Sequence, residues 1–332
     1  MSGTRFGIGL RGNLGVGEYG KLGRLAEDLG FEVVSVFNDL GDQPALPALL
    51  EVAAATDRIM IGPACLNPFT LHPVEIAGQV SALDAASAGR AYLGLAKGAW
   101  LASIGIAQAR PVRALREAAG VVRALLADDR SGYRGEVFRL EPGVHLDFDM
   151  VRSQVPLLIG GWGLRTVALA GEIADELKVG GSANPGLVPV MRSRIAAGEA
   201  RAERRSMPAR IVLGAVTVVD EDGEAARDLA RSAVAAYFEV VARLDPTIDL
   251  PRGLVESMSL LLQAGDRAAA GRLIPDHLLD RFAFCGTPMQ VARQVRDVFD
   301  AGAARIEFGS PFGLDQESGL RLLGEGVLPQ FH

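Results

Sequence analysis

The sequence predicts a single (β/α)8 TIM barrel over residues 1–332. Three observations point to it. Short β-branched runs alternate with Ala/Leu/Glu/Arg-rich stretches of helical length. The alternation repeats eight times along the chain. Gly30 and Gly302 each close a helical run just before a strand begins, as a glycine past a helix C-terminus should. Repeated βα units imply a parallel sheet covered by helices. Eight of them favour a closed barrel over an open sheet.

The expected strands cover residues 5–10, 32–37, 58–64, 90–96, 155–160, 176–180, 210–219 and 305–308. Helical runs follow them at 19–29, 45–55, 74–87, 112–127, 164–174, 187–205 and 289–301, with a last one near 317–323. Two insertions break the rhythm. Residues 132–148, within an insertion of about 130–150, alternate and carry Gly and Pro punctuation, which predicts a β-hairpin. Residues 242–284 predict a helical insertion before the last βα unit, interrupted by Pro246, Pro251 and Pro275. In barrels such insertions usually sit on βα loops and shape the pocket.

Composition narrows the function classes. Apolar residues make up 49% of the chain, enough for a large core. The net charge of −6 offers no basic face for nucleic acid. One basic run, Arg201, Arg204 and Arg205, is interleaved with Glu199 and Glu203 and predicts a solvated helix face. Two cysteines, Cys65 and Cys285, form no disulfide framework, which suits a reducing, cytoplasmic setting. The opening MSGTRFGIGL carries no signal-peptide pattern, and no apolar run reaches membrane-spanning length. The four histidines are scattered, so no metal site is expected.

Three segments carry candidate chemistry beside one decoy. Gly15 to Gly20 matches GxGxxG, with Asp39 at the end of the next strand. The glycines do not open directly after the first strand, and the βα series runs on past a dinucleotide fold, so that reading is set aside. Next comes the stiff turn GPACLNPFTLHP, residues 62–73. His72 there predicts a structural helix start, and Cys65 a small buried residue. SAGRAYLGLAKGAW, residues 87–100, delivers small residues to the rim, where glycine lets a flat ring approach. GGWGLRT, residues 160–166, opens a helix. Its free N–H groups and Arg165 suit an anion, with the loop Gly180-Gly181-Ser182 beside it.

Taken together, these segments resemble the luciferase-like monooxygenase superfamily, closest to its branch that uses the deazaflavin coenzyme F420. RFGIGL, LAEDLGFEVVSVFND, NPFTLHP, SAGRAYLGLAKGAWL, VPLLIGGWGLRTVALAGEIADE and GTPMQVARQVRDVFDAGAARIEF carry the likeness over nearly the whole chain. The resemblance implies a non-proline cis bond near Ala64-Cys65, behind the ring. It implies cofactor contacts from Asp39, Ala64, Cys65, Asn67, Lys97, Gly98, Gly161, Gly163 and Arg165, with Gly180, Gly181 and Ser182 on the phosphate side. It also implies a homodimer.

Departures from the branch matter. Its sugar-phosphate dehydrogenases carry a histidine after the strand-two aspartate, where this chain has Leu40, and a glutamate where it has Ala99. Glucose 6-phosphate is therefore not the expected substrate. The GAWL and RPV pieces lean toward the methylenetetrahydromethanopterin-reductase-like group. Hydride transfer between F420 and a small organic substrate is the leading expectation, with Asp39 as the polar contact to ring or substrate. Leu40, Leu66, Trp100 and Trp162 form the expected apolar rim. An FMN-dependent monooxygenase and a non-catalytic flavin- or deazaflavin-binding protein are the alternatives.

Overall fold

The computed structural model describes residues 5–202 and 208–331. Of the basic run, Arg204, Arg205 and Glu203 lie outside the described residues. The chain opens with β1 (Arg5–Leu10), α1 (Glu18–Asp28), β2 (Val33–Val36), α2 (Ala45–Ala55), β3 (Met60–Pro63), α3 (Pro73–Ala86), β4 (Leu93–Ala96) and α4 (Pro111–Leu126). A two-stranded antiparallel hairpin follows, β5 (Tyr133–Arg134) with β6 (Arg139–Leu140). Then come β7 (Leu157–Gly160), α5 (Leu164–Ile173), β8 (Glu176–Gly180), α6 (Leu187–Glu199), β9 (Arg210–Val219) and α7 (Gly223–Ala235). The helical insertion comprises α8 (Phe238–Ala242), α9 (Leu254–Gln263), α10 (Arg267–Arg272) and α11 (Asp276–Phe282). The chain ends with β10 (Ala283–Gly286), α12 (Pro288–Asp300), β11 (Arg305–Phe312) and α13 (Gln316–Leu322).

Eight parallel strands run in the order β3-β2-β1-β11-β9-β8-β7-β4. The ring closes between β3 and β4. Ile61 N donates to Arg90 O at 3.1 Å, Tyr92 N to Ile61 O at 2.9 Å, and Leu66 N to Gly94 O at 2.9 Å. All eight expected strands are present and the barrel is closed, so no open dinucleotide sheet exists. Gly15–Gly20 instead forms a turn and the first turn of α1, with Gly17 at φ 85°.

One strand was not expected. β10, at the end of the insertion, adds in parallel to the outer half of β9, pairing Ala283 with Val216. Its four residues sit between two helices. So short an apolar run cannot be told from helix by periodicity.

Helix starts follow local chemistry. Thr287 and Gln290 form a capping box on α12, with Pro288 at its first position. His72 caps α3, its Nδ1 accepting from Val74 N at 3.2 Å, which gives it the structural role expected. The large core lies between strands and helices, around Ile8, Val34, Ile61, Leu95, Ile159, Leu177, Leu213 and Phe308. A second core joins α7 to α11 with β10. A third, small cluster fills the barrel itself: Val33, Tyr92 and Leu158, with Met60 and Cys65 against them. Among the described residues no helix is long and apolar enough to cross a membrane.

Candidate active site

The site grows from what the strands point inward. Side chains alternate along a strand, so every second residue faces the barrel axis. In β8 these are Glu176, Lys178 and Gly180. In β11 they are Arg305, Glu307 and Gly309. The two strands are not neighbours, because β9 lies between them. Their charged side chains nonetheless meet across it. Lys178 Nζ donates to Glu307 Oε1, and Arg305 Nη2 donates to Glu176 Oε2 at 2.7 Å. Gly214 of β9 lies under the crossing: a Cβ there would stand 3.3 Å from Lys178 Cε and 3.5 Å from Glu307 Cβ, in close contact with both.

These groups form a buried charged floor. Lys178 is 7% exposed and Glu307 1%. Ser35 Oγ donates to Glu307 Oε2 at 2.5 Å and lies 2.7 Å from the Tyr92 hydroxyl. Arg305 Nη1 adds a contact to Glu307 Oε2 at 3.4 Å. Burial pushes the Glu307 carboxyl up, but Lys178 and Arg305 pull it down further, so it is held below the usual carboxylate range. At the far end of the floor, Arg5 and Arg210 also face Glu176, at 3.6 and 3.2 Å.

Above the floor the lining thins to glycine. A Cβ on Gly9 would run into the Phe37 ring at 2.4 Å and approach Glu307 Oε1 at 3.0 Å. A Cβ on Gly94 would meet Pro63 O at 2.0 Å, and one on Gly160 would meet Cys65 Sγ at 2.9 Å. The missing side chains let the turn after β3 project into the mouth. That turn contains a cis peptide between Ala64 and Cys65. Burial pushes the Cys65 thiol up to about 12, so it is a small wall residue and not a thiolate nucleophile.

Around the mouth stand the other candidates. Asp39, in the turn after β2, is exposed, yet its carboxyl pKa is raised. Desolvation by the surrounding walls is the main cause and Asp42 adds to it, against the pull of Lys178 and Arg11. Arg11 grips Asp42 through two bonds of 2.9 and 3.0 Å. Lys97 is exposed. Gly98, at φ 79°, packs against Asn67. Asn67 Oδ1 accepts from Phe69 N and Thr70 N at 3.1 and 2.9 Å, so that oxygen shapes the turn and does not face a ligand.

Opposite them, Gly163 caps α5 without a side-chain hydrogen bond, and a Cβ on Gly163 or Gly180 would meet nothing within 4 Å. Arg165 stands exposed in the first turn of α5. Gly161 N is tied to Lys178 O at 3.0 Å, and Gly181 N to Gly214 O at 2.6 Å. Ser182 is buried, its hydroxyl accepting from Asn184 N at 3.2 Å. A helix N-terminus with open glycines and a free guanidinium has the chemistry of a phosphate seat.

The apolar rim differs in one member from expectation. Trp100 is 52% exposed, Leu40 is exposed, and Trp162 is half-buried with its Nε1 donating to Gly180 O at 3.1 Å. Leu66 is instead buried in the main core, because its backbone joins the closure of β3 to β4. Ile104 at the end of a 3-10 turn, Leu164 at the start of α5 and Leu314 after β11 are also exposed. Apolar side chains gathered around a mouth mark a binding surface.

Sequence reasoning missed Lys178, Glu307, Arg305 and Glu176. The signal was present in E-L-K-V and R-I-E-F, two strands with charges two residues apart and of opposite order. Read with the period of a strand, both pairs point inward together.

Residues 4–305 match the luciferase-like monooxygenase family. The chain belongs to that family. A 5,10-methylenetetrahydromethanopterin reductase of Archaeoglobus fulgidus is 29% identical over 317 residues, 92% of this chain and 93% of that one. An F420-dependent glucose-6-phosphate dehydrogenase of Microbacterium testaceum is 27% identical over 93% of this chain and 91% of its own. The solved structure of coenzyme F420 dependent tetrahydromethanopterin reductase from Methanopyrus kandleri superposes with a TM-score of 0.91. It is 25% identical and covers 99% of this chain and 100% of its own.

Proposed function

We propose that this family member is an oxidoreductase that binds coenzyme F420 at the barrel mouth and exchanges a hydride with a small organic substrate. The observation that supports it most is the pairing of two features at one end of the barrel. One is the glycine-lined wall of Gly94, Gly160 and Cys65, and the other is the open N-terminus of α5 with Gly163 and Arg165. A flat ring and an anionic tail need those two surfaces. The F420-dependent relative at 27% identity and the solved F420-dependent reductase at 25% identity support the choice of deazaflavin over FMN.

When bound, the deazaflavin supplies the hydride chemistry. The protein's part is to hold and orient. Ala64, Cys65, Lys97 and Gly98 would wall the ring. Arg165 and the open start of α5 at Gly163 would hold the phosphate tail; Gly161, Gly180 and Gly181 would lie against it without donating from Gly161 or Gly181, whose amides are taken by Lys178 O and Gly214 O. Asp39 would make the polar contact at the ring's edge. The apolar rim of Leu40, Trp100 and Trp162 would exclude water and receive an uncharged substrate. A homodimer in the cytoplasm is part of the same reading, and sedimentation velocity tests the dimer.

The reaction is tested by mixing enzyme with reduced F420, without oxygen, and a panel of enones, imines and ketones. Oxidation of F420 coupled to loss of an acceptor supports the proposal. Turnover only with reduced FMN and oxygen would replace it with a monooxygenase.

A further inference from the structure

Resting on that reading of the site, we propose that Lys178 is its proton donor, a catalytic residue held ready by Glu307 on the barrel floor. Three observations carry this. The first is the choice of residue. The chain has 34 basic residues but only three lysines, Lys21, Lys97 and Lys178. Arginine makes nearly every other ion pair, and its guanidinium does not release a proton in a protein. Lysine can both hold and release one. Among the described residues the cation of the other ion pairs is arginine, Lys21 beside Glu18 excepted, and Arg305 stands next to Lys178 on the same carboxylate.

The second observation is position. Lys178 is the register partner of Gly160, whose missing side chain accommodates the Cys65 sulfur. Its ammonium lies 4.7 Å over the Phe37 ring, and its charge acts on both Asp39 and Cys65. Lys178 thus stands on the barrel floor close to the wall assigned to the ring, below the mouth where a substrate would enter. The third is support. Glu307 holds the ammonium, Ser35 and Arg305 hold Glu307, and the Tyr92 hydroxyl in turn bonds Ser35. Gly9 and Gly214 leave the room that this construction fills. No residue at positions 40 or 99 offers such a group, since Leu40 and Ala99 are apolar.

A C=O or C=N substrate accepts a hydride at carbon from the reduced deazaflavin, which is thereby oxidised by two electrons. The electron pair of the double bond moves to the heteroatom. One N–H bond of the Lys178 ammonium breaks as the heteroatom–H bond forms. Lys178 is left neutral beside Glu307, and water at the mouth returns its proton.

Two measurements test this. The first needs no turnover. With only three lysines, reductive methylation read by mass spectrometry resolves each one. Lys178 should be modified in the cofactor-free protein and protected about tenfold or more by bound F420, while Lys21 is unaffected. A Lys178 that is never modified, or modified equally with and without F420, overturns the proposal.

The second uses Lys178→Arg, with the neutral pair Lys178→Met/Glu307→Leu as a folded control. Both should bind F420 within about threefold of wild type. Both should lose about a hundredfold or more in turnover with C=O or C=N acceptors. Lys178→Arg with near-normal turnover overturns the proposal, because charge alone would then suffice. Failure of the wild type to bind F420 defeats the reading of the site as a whole. Binding by the wild type with an active Lys178→Arg defeats the lysine alone. If the wild type reduces none of the panel, the methylation result decides.

Discussion

Cys65 and Gly160 face each other at the mouth of the barrel: a Cβ on Gly160 would stand 2.9 Å from the Cys65 sulfur. The neighbouring Gly94 is tighter still, with a Cβ 2.0 Å from Pro63 O. Backbone cannot yield there as a flexible side chain can. Gly94→Ala should therefore displace the turn after β3 and cost about 1–3 kcal/mol of stability, as overpacking does. Urea unfolding of the variant measures it. Gly160→Ala meets only a side chain, so it should cost less stability but still weaken F420 binding. Equal stability of Gly94→Ala and wild type would contradict the geometry.

A carboxylate away from the mouth ties α1 to the start of β3. Glu27 accepts backbone N–H groups of Asp57, Arg58 and Ile59 at 2.6–3.1 Å. Burial pushes its carboxyl up, but these donors and Arg58 outweigh burial, so its pKa is lowered. A carboxyl with a folded pKa below its unfolded value contributes stability that is present above the unfolded value. That contribution is lost as pH falls through the folded one. Glu27→Ala should cost about 3 kcal/mol at pH 7, because buried donors lose their acceptor. The gap from wild type should shrink in acid, below an unfolded value near 4.5. Denaturant melts at pH 7 and at pH 4 give both numbers. A gap independent of pH would contradict the assignment.

Arg165 has no ion pair among the described residues and stands exposed at the start of α5. Arg165→Ala should leave the melting temperature unchanged. It should weaken F420 about tenfold at low salt, and the salt dependence of binding should flatten. Fluorescence titrations at two ionic strengths decide it. Equal affinities would remove Arg165 from the phosphate seat.

Asp39 combines an exposed position with a raised carboxyl pKa. Asp39→Ala should weaken F420 binding about tenfold without lowering stability. A titration matching wild type would take the residue out of the site.

Much of the barrel was legible because each βα unit carries its own local signature. β-branched runs such as VVSV in β2 and helix-ending glycines such as Gly30, at φ 91°, are short-range signals. β10 was not legible, because AFCG takes its strand form only from pairing with β9. The same division runs through the site. Glycines 160, 161 and 163 announce a turn opening a helix, whatever lies around them. Asn67 and Ser182 looked equally available, yet the folded loops turn Asn67 Oδ1 to Phe69 and Thr70 and the Ser182 hydroxyl to Asn184. The Lys178–Glu307 pair depends on two strands meeting across a third over Gly214, which no local window contains.

The most direct test of a deazaflavin at this mouth is an equilibrium titration of the purified protein with F420 and, separately, with FMN, followed by fluorescence. Saturable F420 binding at micromolar concentration or below, at least about tenfold tighter than FMN and weakened by Arg165→Ala, is the predicted result. Tighter FMN binding, or no saturation by F420, would contradict it.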